Sequence, residues 1–179
     1  MRNIQIVEEI IPKSDNIFIS FGNVNYEDRF CLIIETKTIS NIDFIIVKLI
    51  NSVPNWVKLL LYLRNVIANI FGLKTGESGN IFNNPETINL KHNQYIGDIF
   101  ILLKDKYHLI IELKDKHLDF RFSILISQEK CLTKIYLTTI VKINNFFGKL
   151  YFFLITPFHR LIIKNILKKL GNEFNSLNN

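Results

Sequence analysis

The second half of the chain carries the clearest pattern, three segments rich in β-branched and aromatic residues that short polar stretches separate. They run from Ile96 to Leu103, from Tyr107 to Gln128 with a break near Lys114 to Lys116, and from Cys131 to Ile143. Such segments favour β-strands, and short connections join strands that run antiparallel. The pattern therefore predicts an antiparallel meander. An earlier apolar stretch, from Ile17 to Ile39, predicts one or two further strands.

Two short helices are predicted between these strand regions. Ser40, followed three residues later by Asp43, is a weak form of the capping box and opens a helix that continues to about Ile50. A second helix starts near Pro54 and ends at Phe71-Gly72, because proline suits the first helical turn and glycine the end. When each residue turns the helix by about 100°, the apolar residues of this second helix fall on one arc: Trp56, Leu59, Leu60, Leu63, Val66, Ile67, Ile70 and Phe71. The stretch from Lys74 to Gln94 predicts a loop, or a strand with long connections.

The end of the chain, from Phe147 to Leu170, is helical by pattern. Pro157 has no N–H to donate and clashes with the preceding turn, so the helix either kinks there or begins there with Thr156 as its cap. A kinked helix is favoured, because Lys149 continues the basic face of the helix across the proline. Residues 171–179 are predicted to form a frayed tail.

Composition indicates one domain that includes all 179 residues. A chain of this length buries about 70% of its unfolded surface on folding. The longest stretch without Lys, Arg, Asp or Glu runs only from Asn16 to Tyr26, whereas a membrane span needs about 20 apolar residues, so no span is expected. No apolar segment of a secretion signal follows the amino terminus. Cys31 and Cys131 lie in apolar runs, as buried reduced thiols of a cytoplasmic protein do.

The net charge of +6 is confined to one region. Between Lys130 and Asn172 the sequence contains eight basic residues and no acidic one, so the remaining chain is slightly acidic. No basic-aromatic motif accompanies this excess, and we expect no nucleic-acid partner. No nucleophile elbow, phosphate loop, zinc spacing or dinucleotide fingerprint is present either, and no cofactor is predicted.

One strand segment places polar residues in a row. Alternation from Asp115 to Phe122 puts four polar residues on one face: Asp115, His117, Asp119 and Arg121. Neighbours in such a row lie about 7 Å apart, close enough for their side chains to form hydrogen bonds. The row is either a solvated outer face or the wall of a cavity that orients a polar ligand. A metal site from Asp115, His117 and Asp119 is a third interpretation, without a second His or Cys cluster to support it.

The terminal helix presents two arcs. Its apolar arc contains Tyr151, Ile155, Phe158, Ile162, Ile166 and Leu170, with His159 inside it. A lone histidine there is either a satisfied core residue or the most polar group of a cavity. The opposite arc is basic, with Arg160, Lys149, Lys164 and Lys168. This arc is either an ordinary solvated face or a surface that contacts anionic lipid headgroups.

The ordered motifs also resemble a known family. They are Pro54-Asn55-Trp56, Leu63-Arg64-Asn65, Phe71-Gly72-Leu73, the segment from Asp115 to Arg121, Asn145, Gly148-Lys149-Leu150-Tyr151 and Pro157-Phe158-His159-Arg160. The set is similar to the bacterial family catalogued as domain of unknown function 2867, over roughly Val53 to Leu170. That family looks related to the START-like, or helix-grip, superfamily, whose members include lipid carriers, hormone receptors and polyketide cyclases. The resemblance implies an α+β fold in which a curved antiparallel sheet and a long carboxy-terminal helix enclose an apolar cavity.

Three functional hypotheses follow. The first is a cytoplasmic protein that binds a hydrophobic small molecule or lipid between sheet and terminal helix, with ligand contacts from His117, Asp119, Arg121, Tyr151, Phe158 and His159. The second is a cyclase- or hydratase-like enzyme that uses His117 or His159 as acid or base, with Asp119 orienting and Arg121 holding an anion. The third is an interaction module that contacts an anionic membrane surface or a second copy; monomer and homodimer are both compatible with the sequence.

Overall fold

The structure is a computed structural model that describes residues 4–35, 39, 41–54, 90–129 and 131–177. These residues form an α+β fold around one antiparallel sheet. Its strands are β1 (Gln5–Glu8), β2 (Tyr26–Glu35), β3 (Gln94–Ile96), β4 (Ile99–Lys104), β5 (His108–Lys114), β6 (Leu118–Glu129) and β7 (Leu132–Ile143). Their order across the sheet is β1-β2-β7-β6-β5-β4-β3. The predicted meander is confirmed, because β3 to β7 are neighbours in sequence order.

The other two strands join the sheet at the far side of β7. The predicted strand region from Ile17 to Ile39 contains β2, which pairs with β7 from Tyr26 opposite Val141 to Glu35 opposite Leu132. β1 forms the edge beyond β2 and was not predicted. A four-residue strand next to acidic residues gives too short an apolar pattern to detect, and its partner supplies most of the pairing information.

A long helix, α2 (Phe146–Leu177), covers one face of the sheet, which we call the inner face. Its carboxy-terminal half packs on β2 and β7 in the main core, to which these residues contribute: Phe30, Leu32, Ile34, Ile135, Leu137, Ile163, Ile166, Leu167, Leu170 and Phe174. The helix is continuous through Pro157, as predicted. It also continues past Leu170 to Leu177, about two further turns, and Phe174 is buried, so residues 171–177 do not form the predicted frayed tail.

The first predicted short helix is present as α1 (Ile42–Asn51). The side chain of Asn41 caps it by accepting the hydrogen bond from the Phe44 N–H at 3.0 Å. Ser40, the predicted cap, lies outside the described residues. The second predicted helix, beyond Pro54, lies outside the described residues. So does most of the predicted loop that begins at Lys74.

Residues 9–24 cover the opposite, outer face of the sheet. They contain a short 3-10 helix (Asn16–Phe18) where the sequence predicted a strand. The Asp15 carboxylate accepts from the Ile17 N–H at 3.0 Å and so caps this turn. Ile17 and Phe21 pack with Ile110 and Ile140 in a second apolar cluster. The sheet therefore has a covering on both faces.

The two cysteines differ in environment. Cys31 is buried, as predicted, and burial raises the pKa of its thiol to about 11. Cys131 is exposed at the connection between β6 and β7, so the prediction that both thiols are buried is wrong for this residue. Its apolar neighbours in sequence lie in the strands, whereas Cys131 lies in the turn between them.

Helix α2 is more apolar than its packing requires. From Phe146 to Ser176 it is long and apolar enough to cross a membrane, and only 11% of its most apolar window is buried. The expectation that no segment reaches this length and apolarity is therefore wrong. The helix contains no long charge-free run, because its charged residues are spaced along it.

Candidate functional site

Four polar side chains meet between the inner face of the sheet and α2. Asp28 of β2 and Thr139 of β7 are opposite each other in the strand pairing, and both side chains reach the helix. His159 of α2 places its Nε2 3.2 Å from Asp28 Oδ2 and 3.2 Å from Thr139 Oγ1. Tyr26 lies two residues before Asp28, and its hydroxyl donates to Asp28 Oδ2 at 2.6 Å. We call Tyr26, Asp28, Thr139 and His159 the polar cluster.

Among the ionisable groups of the polar cluster, Asp28 is the most buried, with 1% of its side chain exposed. Burial acts to raise the pKa of this carboxyl, but the hydrogen bonds from His159 and Tyr26 outweigh burial, and the pKa lies below its usual range. Burial and the neighbouring Asp28 raise the pKa of the Tyr26 hydroxyl, which therefore remains a donor. Asp28 Oδ1 has no hydrogen-bond partner among the described residues. A buried acceptor of this kind suits a donor from a water molecule or a ligand.

Arg160, the residue after His159, fixes α2 to the edge of the sheet. Its guanidinium donates to both carboxylate oxygens of Glu8 at 2.6 Å, and it also lies over the ring of Phe30. Two consecutive helix residues thus contact β1 and β2. These contacts hold the middle of α2 at a fixed position on the inner face.

An open apolar groove lies next to the polar cluster, along the amino-terminal half of α2. Its volume is about 760 Å³, and it is lined by Ile143, Lys149, Phe152, Phe153, Leu154, Thr156, Pro157 and Phe158. The ring of Phe152 packs edge-on against the ring of Tyr26, with 4.9 Å between the ring centres. Phe152, which lines the groove, is therefore in contact with Tyr26 of the polar cluster.

Pro157 helps to shape this part of the helix. Because proline has no N–H, the carbonyl of Phe153 lacks its usual helical donor. The residue before the proline, Thr156, donates its hydroxyl to the carbonyl of Phe152 at 2.7 Å. Bonds of this type bend helices slightly. The groove thus lies where the regular hydrogen bonding of α2 is interrupted.

Among the residues predicted to contact a ligand, His159 lies at the sheet–helix interface and belongs to the polar cluster. Phe158 lines the groove but is 47% exposed, so its predicted place on the buried arc is wrong. Tyr151 is partly buried on α2. The helical pattern misplaced Phe158 because apolar residues surround the amino-terminal half of α2, which leaves no single buried arc to read.

Asp119 and Arg121 point to the outer face, away from α2. The Arg121 side chain is 2% exposed; it pairs with Glu112 at 2.6 Å and donates to the carbonyls of Ile17 and Ile19. Arg121 therefore holds residues 9–24 on the sheet. Asp119 accepts from Asn144 at 3.1 Å and lies 3.6 Å from Lys142. The predicted grouping of Asp119 and Arg121 with a histidine of the terminal helix is not formed, since they lie on opposite faces of the sheet.

His117 lies in the turn between β5 and β6, before the strand begins, so the predicted row does not form on one strand. Its Nδ1 lies 3.0 Å from Asn145 Oδ1, which also accepts from the Gly148 N–H at 3.0 Å. The Asn145 amide donates to the carbonyl of Lys116 at 2.9 Å. This turn therefore fixes the first turn of α2. The close approach requires glycine at position 148, where an added Cβ would lie 2.0 Å from the His117 carbonyl oxygen.

Sequence reasoning did not identify Tyr26, Asp28 or Thr139. A signal was present in β2, where Tyr26 and Asp28 share the alternation of Phe30, Leu32 and Ile34. An aspartate in phase with a buried apolar row must find a partner in the interior. Its partner His159 is distant in the sequence, however, and the pattern of β2 does not name it.

No metal centre is formed by the part of the chain that the structure describes, where no three His, Cys, Asp or Glu side chains come together as ligands. The metal site proposed for the polar row, with Asp115, His117 and Asp119 as ligands, is not formed. These residues contribute instead to the turn that fixes α2, where the Asp115 carbonyl and the Asp119 carboxylate both accept from the Asn144 amide.

The geometry defines an α+β protein with a seven-stranded antiparallel sheet, a long helix on its inner face, and an apolar groove beside a buried polar cluster. The family described as "Protein of unknown function (DUF2867)" matches residues 20–166, from the segment before β2 to the middle of α2. The chain belongs to this family. No curated protein and no solved structure matches it significantly.

Proposed function

We propose that the protein binds an apolar small molecule of the lipid class in the groove of α2, with the polar end of the ligand at the polar cluster. The observation that carries this proposal is the contact between Phe152, which lines the groove, and Tyr26, whose hydroxyl donates to Asp28 in the polar cluster. Binding sites for small molecules combine an apolar lining with a few polar groups that orient the ligand. The groove and the cluster together supply both parts.

The lining of the groove supports a mainly apolar ligand. Lys149 is the one charged residue among those that line it, and the others present aromatic rings, aliphatic side chains, a threonine and a proline. In the neighbouring polar cluster, Asp28 Oδ1 is a buried acceptor without a partner among the described residues. A ligand hydroxyl that displaces a water molecule there gains a hydrogen bond to a charged acceptor.

A helix-grip arrangement is the finer fold assignment that accompanies this proposal. In such a fold the sheet curves around the long helix and a ligand lies between them. The contacts of His159 and Arg160 with the sheet fix one end of that space, and the groove lies on the amino-terminal side of these contacts. The proposed ligand therefore enters beside the first half of α2.

Titration with a fluorescent fatty acid tests the proposal. In the variant Phe153→Glu/Phe158→Glu, two charges enter the groove, and we expect at least about tenfold weaker binding. The matched control is Phe146→Glu/Leu161→Glu, which changes two exposed apolar residues of the same helix outside the groove. Control and wild type should bind equally. No binding by the wild type, or equal binding by all three proteins, would overturn the proposal.

The contact between Asp28 and His159 favours a second candidate, an enzyme that uses His159 as general acid or base. A carboxylate that holds an imidazole fixes its orientation for proton transfer. Native mass spectrometry separates the two candidates when the molecules that co-purify with wild type and with His159→Gln are compared. A ligand of different mass in the variant indicates a reaction, whereas the same ligand in both proteins indicates binding alone.

A further inference from the structure

The side of α2 that faces away from the sheet is apolar along its first half. Its exposed large residues are Phe146, Phe147, Leu150, Phe153, Leu154, Phe158 and Leu161. At about 100° per residue they fall within an arc of about 140° and extend along about 24 Å of helix. Phe146 and Phe153 are 73% and 75% exposed. We call this surface the outer arc.

The outer arc changes from apolar to basic along the helix. Lys164 and Lys168 fall within the same arc, one to two turns after Leu161, and both are exposed. No acidic residue occurs between Lys130 and Asn172. The outer arc thus has an apolar half followed by a cationic half, and its sequence region carries no negative charge.

An exposed surface with this much contiguous apolar area usually contacts a partner. A protein partner would match an apolar surface with apolar residues and oppose the lysines with carboxylates. A lipid bilayer with anionic headgroups offers both kinds of contact at fixed depths, acyl chains for the phenylalanines and phosphates for the lysines. Lysine side chains reach from an apolar region to the headgroups in this way.

The contacts of α2 within the protein determine how it can meet a bilayer. His159 and Arg160 bind β2 and β1 at the middle of the helix, and Leu167 and Leu170 are buried in the core. Crossing a membrane would break these contacts and expose their polar partners to lipid. Lying on the surface keeps them, because the outer arc is on the opposite side of the helix.

We infer that the outer arc of α2 docks on anionic membrane surfaces, with its apolar first half in the lipid and with Lys164 and Lys168 at the headgroups. The outer arc shares Phe153, Leu154 and Phe158 with the groove, whereas Phe146, Phe147, Leu150 and Leu161 belong to the outer arc alone. The test of this inference therefore changes residues of the second set. Arg160 is engaged by Glu8, whereas Lys164 and Lys168 are exposed and provide the cationic contact. The Lys164 ammonium lies 5.4 Å from the centre of the Phe30 ring, and it exchanges this contact for the headgroups on docking.

Sedimentation with vesicles tests this inference on the full chain. The probes are vesicles of phosphatidylcholine alone and of phosphatidylcholine mixed with phosphatidylserine. We expect binding to the mixed vesicles at low salt and release at high salt, because salt screens the lysines. The variant Phe146→Gln/Leu150→Gln/Leu161→Gln should partition at least about tenfold more weakly. Lys164→Gln/Lys168→Gln should lose the preference for phosphatidylserine.

Two matched variants control for general effects of polarity and charge. Ile10→Gln/Ile19→Gln changes exposed apolar residues of the segment over the outer face, and Lys13→Gln/Lys91→Gln removes two exposed charges outside α2. Both should bind vesicles as the wild type does. The fatty-acid titration should give wild-type values for the outer-arc variants, so that a failure of one proposal is distinguished from a failure of the other.

Three results would overturn the inference. If the wild-type protein stays in the supernatant with mixed vesicles at low salt, the outer arc does not bind anionic membranes. Protein that resists extraction from membranes by alkaline carbonate spans the bilayer instead of docking on it. A dimer in analytical ultracentrifugation that the outer-arc triple variant abolishes, without vesicle binding, identifies a second copy as the partner.

Discussion

His159 Nε2 lies 3.2 Å from Asp28 Oδ2, and this contact joins the middle of α2 to β2. Because the Asp28 side chain is almost fully buried, the charge needs the partners that surround it. We expect Asp28→Asn to lower the free energy of unfolding by about 1–3 kcal/mol. His159→Gln should lower the free energy of unfolding less, because the hydrogen bond from the Tyr26 hydroxyl to the Asp28 carboxylate remains.

Denaturant unfolding of the two single variants and the double variant measures their coupling. An interaction energy of about 0.5–3 kcal/mol is expected for residues in direct contact. Additive effects within error would show that Asp28 and His159 do not depend on each other. The variant Glu27→Gln, which changes an exposed neighbour on the same strand, is the control for altered charge.

His108 provides a pH-dependent prediction. Burial lowers the pKa of this imidazole below its ordinary 6.5, and its Nε2 lies 2.9 Å from Ser123 Oγ. As the pH falls below about 6.5, the unfolded chain therefore binds a proton at His108 before the folded protein does, and stability decreases. His108→Gln should reduce the loss of unfolding free energy between about pH 7 and pH 5. The same change at exposed His92 should leave the profile unaltered; equal profiles for both variants and wild type would contradict the prediction.

Gly148 should not tolerate a side chain. The added Cβ of Gly148→Ala would meet the backbone oxygen of His117 at 2.0 Å, and backbone cannot move aside as a side chain does. The change favours helix by about 1 kcal/mol in a free helix, yet we expect net destabilisation by at least about 2 kcal/mol. Gly171→Ala in the same helix is the control, because its Cβ meets side-chain atoms of Ile4 and Leu32 that can shift. Thermal unfolding that ranks the two variants in the reverse order would disprove the role of the turn.

Arg121 and Glu112 form a buried ion pair that holds residues 9–24. Arg121→Met leaves the Glu112 carboxylate with Lys114 as its remaining ion-pair partner, at 3.0 Å, and frees the carbonyls of Ile17 and Ile19. Breaking one side of a buried pair costs about 3–5 kcal/mol. Limited proteolysis should then cleave within residues 9–24 faster than in wild type. Arg121→Met/Glu112→Gln should recover part of the stability, and no recovery would show that the lost carbonyl contacts dominate.

Thiol labelling distinguishes the two cysteines. Cys131 is exposed and should react with a thiol reagent in the folded protein, whereas Cys31 is buried and its pKa of about 11 leaves little thiolate at neutral pH. Labelling should therefore modify one cysteine in buffer and both in denaturant. Mass mapping of the labelled peptide identifies the residue, and early labelling of Cys31 would contradict its burial.

The strands and helices follow from local pattern more directly than the site does. The meander from β3 to β7 is predictable because β-branched runs and short polar turns determine neighbouring antiparallel strands. The continuity of α2 through Pro157 is also predictable, from the positions of Lys149 and Arg160. β1 is too short for such a pattern, and it depends on β2 for its hydrogen bonds.

The polar residues of the site illustrate what local pattern leaves undetermined. Alternation assigns Arg121 to one face of β6, but it does not show that residues 9–24 cover that face. The sequence therefore predicted a ligand-binding role for Arg121, whereas the structure shows an ion pair with Glu112. The partnership of Asp28 with His159 depends on how β2, β7 and α2 pack. Lys164 and Lys168 were assigned to one basic arc from the sequence, whereas the apolar half of the outer arc was not predicted. Apolar residues occur on several sides of the first half of α2, and a helical pattern then favours no direction.

The pairing of β2 with β7 has a consequence for synthesis of the chain. Tyr26 pairs with Val141 and Glu35 with Leu132, so each partner is about a hundred residues away. During translation β2 cannot pair with β7 until nearly the whole sheet has been synthesised. By then β4 to β6 can already have formed from local hairpins. Asp28 cannot meet His159 before that. Any activity of the site therefore begins only when the last helix has emerged and docked.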